Sequence, residues 1–85
     1  MKPMLVHLVQ ARYIAGHRVW LRFDDGVEGE IDLAQELGGK IFEPLRVASY
    51  FATFAVDDTL TWSNGADFAP EFLHKLVVAG RRQPD

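Results

Sequence analysis

Between Val19 and Leu33 apolar and polar residues alternate with period 2 across a single glycine-marked turn. Val19, Leu21 and Phe23 point one way and Arg18, Trp20 and Arg22 the other. After Asp24-Asp25-Gly26 the alternation resumes, with Val27 and Ile31 set against Glu28, Glu30 and Asp32. This is the signature of a β-hairpin. A three-residue loop with Gly26 in the left-handed region sets Phe23 opposite Val27 and Val19 opposite Ile31, with Arg22 facing Glu28 and Arg18 facing Asp32. A slip of one residue would set Phe23 against Glu28, so the pattern selects its own register.

The same reasoning extends in both directions. Met4 to Ile14 is apolar-rich and ends at the turn signal Ala15-Gly16-His17. With a three-residue loop there, Val9, Ala11 and Tyr13 face Phe23, Leu21 and Val19, giving a three-stranded antiparallel meander. Its other face then carries Leu8, Gln10, Arg12 and Ile14, followed by Arg18, Trp20, Arg22, Glu28 and Glu30. A tryptophan among arginines on the wet side is unusual. At Asp32 the period changes: Asp32-Leu33-Ala34-Gln35 reads as a capping box, with Gln35 reaching back, and Gly38-Gly39 stops the helix after little more than a turn. Leu33 and Leu37 share one face of it. Ile41 to Leu45 is expected to be extended before Pro44, and Ala48 to Ala52 to form another short helix. A second hairpin is expected from Phe54 to Trp62, turning at Asp57-Asp58-Thr59. Asn64-Gly65 marks a compact turn. A last helix starts at Pro70, buries Ala69, Phe72, Leu73, Leu76 and Val77, and ends at Gly80.

The pattern therefore predicts an α+β fold: an antiparallel β-meander and a second short hairpin, packed with short helices and a C-terminal helix. It reads as one domain over residues 1–85, ordered from about 4 to 79, with a frayed tail at 80–85. Eighty-five residues bury only roughly 60–65% of the surface exposed on unfolding, so a deep, dry catalytic pocket is not expected. Hydrophobic content of 48% with 25% charged is that of a folded globular chain. The sequence has no cysteine, which excludes disulfides, thiolate nucleophiles and cysteine metal sites. No signal-like run precedes the domain, and no stretch approaches the ~20 apolar residues of a membrane span. The expectation is a cytoplasmic protein without membrane contact. A net charge of −3 disfavours electrostatically driven nucleic-acid binding.

Phe23-Asp24-Asp25-Gly26, Asp32-Leu33, Phe42-Glu43-Pro44-Leu45-Arg46, Tyr50-Phe51 and Trp62-Ser63-Asn64-Gly65-Ala66-Asp67, in that order, resemble the small bacterial proteins grouped as domain of unknown function 2442. The resemblance runs from about Val6 to Leu73. This chain departs from the family pattern at Ser63, where a proline is usual, and at Val47-Ala48, where Asp-Pro is frequent. The resemblance implies an α+β domain of meander, helix and further short strands, with no characterised function. It also implies that some members carry an appended helix-turn-helix, and that many are encoded beside another small protein in arrangements suggestive of toxin–antitoxin pairs. This chain ends soon after its last helix, so action through the domain's own surface is expected.

Candidate chemistry is sparse. Asp67, Glu71 and His74 could form an acid/base or metal cluster, since Glu71 and His74 lie three apart on one helical face. Turn and cap chemistry at Asp67 explains the same residues without a site. His7, His17 and His74 have no metal-ligand spacing. Ser49 and Ser63 lack a nucleophile elbow, and neither Gly38-Gly39 nor Gly26-Val27-Glu28-Gly29 makes a phosphate loop. No catalytic residue, cofactor or metal is assigned. The leading candidate is the face bearing Arg12, Arg18, Trp20 and Arg22, whose residue types are enriched at binding hot spots; the bland alternative is Trp20 packed beneath arginine stems, with Glu28 and Glu30 neutralising them. A free edge of the meander offers a second route to a partner. The functional expectation is a non-enzymatic protein-interaction module, antitoxin-like or regulatory, binding a protein partner or a second copy of itself. The alternatives are a small enzyme using Asp67, Glu71 and His74, and nucleic-acid binding through the arginine face.

Overall fold

The computed structural model describes residues 6–81. Three strands, β1 (Leu8–Ala15), β2 (Arg18–Phe23) and β3 (Glu28–Asp32), form an antiparallel sheet in the order β1-β2-β3. Two 3-10 segments (Ala34–Glu36 and Lys40–Arg46) and the short helix α1 (Ala48–Phe51) follow. A two-stranded hairpin, β4 (Ala55–Val56) and β5 (Leu60–Thr61), leads to the C-terminal helix α2 (Pro70–Arg81). The predicted α+β architecture is the observed one.

The β2-β3 hairpin has the register that its pattern demands. Val19 pairs with Ile31, Arg18 with Asp32 and Arg22 with Glu28. Gly26 donates its N–H to the Phe23 carbonyl (3.0 Å), and the Phe23 N–H donates to Val27 (2.8 Å). With Gly26 at φ 89°, this is a type I turn closed by a glycine in the left-handed region, a common three-residue hairpin loop. The Asp25 carboxylate stiffens it by accepting the Val27 N–H at 3.0 Å.

β1 departs from expectation at both ends. Ala11 pairs with Leu21 and Tyr13 with Val19, but Leu8, not Val9, stands opposite Phe23. The ladder shifts between Leu8 and Gln10 and again between Tyr13 and Ala15, so Val9 and Ile14 are extra residues of β-bulges. The first bulge turns Leu8 into the core, 2% exposed, and leaves Val9 53% exposed. The Asp58 carbonyl takes the Leu8 N–H at 2.9 Å, which anchors this end of the strand to the second hairpin. The β1-β2 turn is also tighter than expected: Ala15 pairs with Arg18, leaving only Gly16, at φ 55°, and His17 between them.

After β3, Asp32 caps the next turn through its carboxylate, which accepts the Ala34 N–H at 2.9 Å. Gln35 is exposed and makes no reciprocal bond, and the cap residue of the segment is Leu33, without a side-chain capping bond, so the expected capping box is replaced by an Asx turn at Asp32. Residues 41–45 are helical rather than extended. Pro44 sits inside that turn, where the tight winding tolerates a missing N–H. Further clamps hold the segment from outside: Arg46 donates Nε to the Leu37 carbonyl (3.0 Å), Asn64 donates Nδ2 to Ile41 (2.9 Å), and His17 donates Nε2 to Leu45 (2.8 Å). Such contacts lie far outside any local pattern. Ser63 shares a 3.2 Å hydrogen bond with the Tyr50 hydroxyl.

The core lies on one side of the meander. Val19, Leu21 and Phe23 from β2 meet Ile31, Leu33 and Leu37, then Leu45, Phe51, Leu60 and Trp62, with Leu73 and Val77 from α2. Trp62 is buried and donates Nε1 to the Phe51 carbonyl at 2.9 Å, so its polar edge is satisfied. Helix α2 starts at Pro70 as expected and continues to Arg81, one residue past Gly80. Its buried stripe is rotated from the predicted one. Leu73, His74 and Val77 are buried, Phe72 and Leu76 are only half-buried, and Ala69 is exposed. Of the expected ordered core and frayed tail, residues 4–5 and 82–85 lie outside the described residues.

Candidate interaction face

Because β2 is central, its outward side chains are flanked on both sides. Trp20 pairs across the ladder with Arg12 and with Glu30, and Arg22 with Gln10 and Glu28. The Arg12 guanidinium sits over the Trp20 ring with its central carbon 4.9 Å from the ring centroid, a cation–π arrangement. Trp20 is half-buried as a result. This combines the two readings of the face, since the tryptophan lies beneath an arginine yet remains partly accessible.

The other two arginines are engaged by carboxylates. Arg18 places Nη2 at 2.6 Å from Glu30 and Nη1 at 3.8 Å from Asp32, and Arg22 places Nε at 3.8 Å from Glu28. The hydrogen bond and charge of Glu30 push the Arg18 pKa above its ordinary value. Three guanidiniums thus face three carboxylates. The charge balance works against a phosphate-binding surface, which needs cations free to displace counterions. Among the described residues, Arg12 is the one arginine of this face without a carboxylate within ion-pair distance.

The Asp67, Glu71 and His74 grouping takes a different form. His74 is 6% exposed and directs Nε2 to the Asp25 carboxylate at 2.8 Å, while Asp67 and Glu71 stand at the surface. Its ring also meets Phe23 edge-on at 5.0 Å. His74 therefore ties α2 to the β2-β3 turn. Asp67 pairs through its backbone with Thr61. Among the described residues no three His, Asp or Glu side chains are grouped as a metal site requires. His7 approaches Asp58 at 3.7 Å and His17 bonds Leu45, so the three histidines serve three separate places. The Asp25–His74 pair spans 49 residues of sequence. One signal for it was the position of His74 beside Leu73 and one turn before Val77, on the side of the helix that faces the core.

The family model described as "Protein of unknown function (DUF2442)" matches residues 8–78, which spans every element from β1 into α2. The chain belongs to this family. No curated protein and no solved structure matches it. The DUF2442 match covers both halves of the surface above, the Arg12–Trp20 stack and the paired arginines, together with the Asp25–His74 tie behind them. No helix among the described residues is long and apolar enough to cross a membrane.

Proposed function

We propose that this DUF2442 protein is a non-enzymatic interaction module that binds a small protein partner, in an antitoxin-like or regulatory role, through the outer face of its meander. The observation that carries the reading is the Arg12–Trp20 stack. A half-buried indole roofed by a guanidinium that has no carboxylate within ion-pair distance among the described residues offers apolar area and a donor fork in one place. Tryptophan and arginine are the types that dominate interface energetics, because each combines a large contact area with directional bonding. Trp20 stands on the central strand, flanked by Arg12 of β1 and Glu30 of β3, so the indole is held from both sides. Arg18 and Arg22, paired with Glu30, Asp32 and Glu28, make the polar rim that such a centre needs.

The test is purification of the tagged chain from its native host, followed by titration of whatever protein is recovered in stoichiometric amount. Trp20→Ala should weaken that complex by at least ~2 kcal/mol while the urea midpoint of the free chain stays close to wild type. A complex of unchanged affinity would remove the face from consideration.

A further inference from the structure

The loop from Trp62 to Ala66 repeats the geometry of the loop from Phe23 to Val27. Trp62 donates its N–H to the Ala66 carbonyl at 2.9 Å, and Gly65 donates to the Trp62 carbonyl at 3.0 Å, the same two bonds that close the hairpin turn around Gly26. Gly65 stands at φ 93° and Gly26 at φ 89°. In both loops the residue before the glycine closes an Asx turn: Asn64 Oδ1 accepts the Ala66 N–H at 3.1 Å as Asp25 Oδ1 accepts that of Val27 at 3.0 Å. Its second side-chain atom then reaches a distant element. Asp25 turns Oδ2 to the His74 ring at 2.8 Å, and Asn64 turns Nδ2 to the Ile41 carbonyl at 2.9 Å. The Ile41 carbonyl can only accept and the Ala66 N–H can only donate, so position 64 needs one donor and one acceptor on a single group. A carboxamide supplies both, and a carboxylate supplies acceptors alone.

We propose that Asn64 is a self-modification site, and that its deamidation through the Gly65 nitrogen releases the Lys40–Arg46 segment from this loop. The Gly65 backbone nitrogen attacks Asn64 Cγ, forming an N–Cγ bond and a five-membered succinimide while the Cγ–Nδ2 bond breaks. The amide proton of Gly65 leaves with Nδ2 as ammonia. Water then opens the ring at one of its two carbonyls, giving aspartate or isoaspartate at position 64. Two features of the site favour the attack. Asn64 and Gly65 are both exposed, so solvent reaches the amide and the ring, and glycine carries no Cβ to hinder the approach of its nitrogen. In the closed loop the reaction is restrained, because the Gly65 N–H is held by Trp62 and the carboxamide by Ala66 and Ile41. It proceeds when the loop opens locally. The Nδ2 donor is gone from either product. Aspartate sets a carboxylate oxygen against the Ile41 carbonyl, acceptor facing acceptor, and isoaspartate lengthens the loop backbone by a methylene. The segment freed in this way carries Ile41, 48% exposed, and Phe42, whose ring stacks on Phe68 at 5.0 Å.

This inference goes beyond the proposed function and uses none of the residues of the outer face, so each can fail alone. The sequence holds no other asparagine, which makes the chemistry simple to follow. The folded chain is incubated in mildly alkaline buffer beside a sample unfolded in urea, and peptide mass mapping follows the loss of ammonia at position 64. Conversion should occur in both, about tenfold more slowly in the folded chain, the factor set by opening the loop. Hydrogen exchange then reads the consequence. In the aged chain, and in Asn64→Asp made directly, amides of residues 40–46 should exchange about tenfold faster than in fresh wild type, with those of Arg18–Phe23 unchanged. Circular dichroism checks that Asn64→Asp is folded, and the aged wild-type chain provides the same readout without a substitution. Retention of Asn64 in the folded chain over about a hundred unfolded-state half-lives would overturn the proposal. So would exchange of residues 40–46 at the wild-type rate after conversion.

Discussion

Replacing His74 by alanine removes a side chain that joins α2 to the turn of the β2-β3 hairpin. Two losses add. The first is packing: the imidazole is 6% exposed and lies edge-on to Phe23 at 5.0 Å, so its deletion leaves a void beside a fully buried ring and costs about 1–2 kcal/mol. The second is the 2.8 Å hydrogen bond to Asp25. A bond to a charged acceptor is worth about 1.5–3 kcal/mol when buried. The Asp25 side chain is 39% exposed, so water replaces much of what the histidine supplied, and about 1 kcal/mol is the appropriate share. The expected total is about 2–3 kcal/mol, equivalent to a fall in Tm of about 10–20 °C for a domain of this size. Urea unfolding followed by the fluorescence of buried Trp62 measures it. His74→Phe should restore the packing share and not the bond. A double-mutant cycle of His74→Ala with Asp25→Ala should give a coupling of about 1 kcal/mol. A His74→Ala loss below about 0.5 kcal/mol, or no coupling in the cycle, would show that the contact does not hold the helix to the hairpin.

The acid limb of stability should report the same turn. The Val27 N–H, and after it the His74 contact, hold the Asp25 carboxyl below its ordinary value despite partial burial. A group whose folded pKa is depressed contributes stability that is complete above its unfolded value, about 3.9, and is lost as pH falls through the lower folded value. Urea midpoints between about pH 6 and about pH 3 should fall more steeply for wild type than for Asp25→Ala, and parallel slopes would count against the assignment. Gly26→Ala should cost about 1–2 kcal/mol by thermal unfolding through backbone strain alone, because Gly26 has φ 89° and an added Cβ would meet nothing within 4 Å. Gly26→Asn should recover part of that loss, since asparagine tolerates positive φ better than alanine.

The sequence alone determined the hairpin at the centre of the molecule. Period-2 alternation and a three-residue glycine turn are local properties, and together they allow one pairing of Val19 with Ile31 and of Arg22 with Glu28. The pattern also placed Trp20 among arginines on the outer face, for the same reason. Tertiary contacts decided the rest. Whether Leu8 or Val9 enters the core depends on a bulge at the end of β1 where Asp58, fifty residues away, binds the Leu8 amide. Residues 41–45 wind into a helix under clamps from His17 and Asn64, which overrule the extended preference before Pro44. The core-facing stripe of α2 includes His74 beside Leu73 and Val77, where it meets the Asp25 carboxylate, and no window of sequence spans that distance. On the outer face, the alternation showed which side chains share a surface; only the pairing of strands settled that Arg12 covers Trp20 while Arg18 and Arg22 turn to carboxylates.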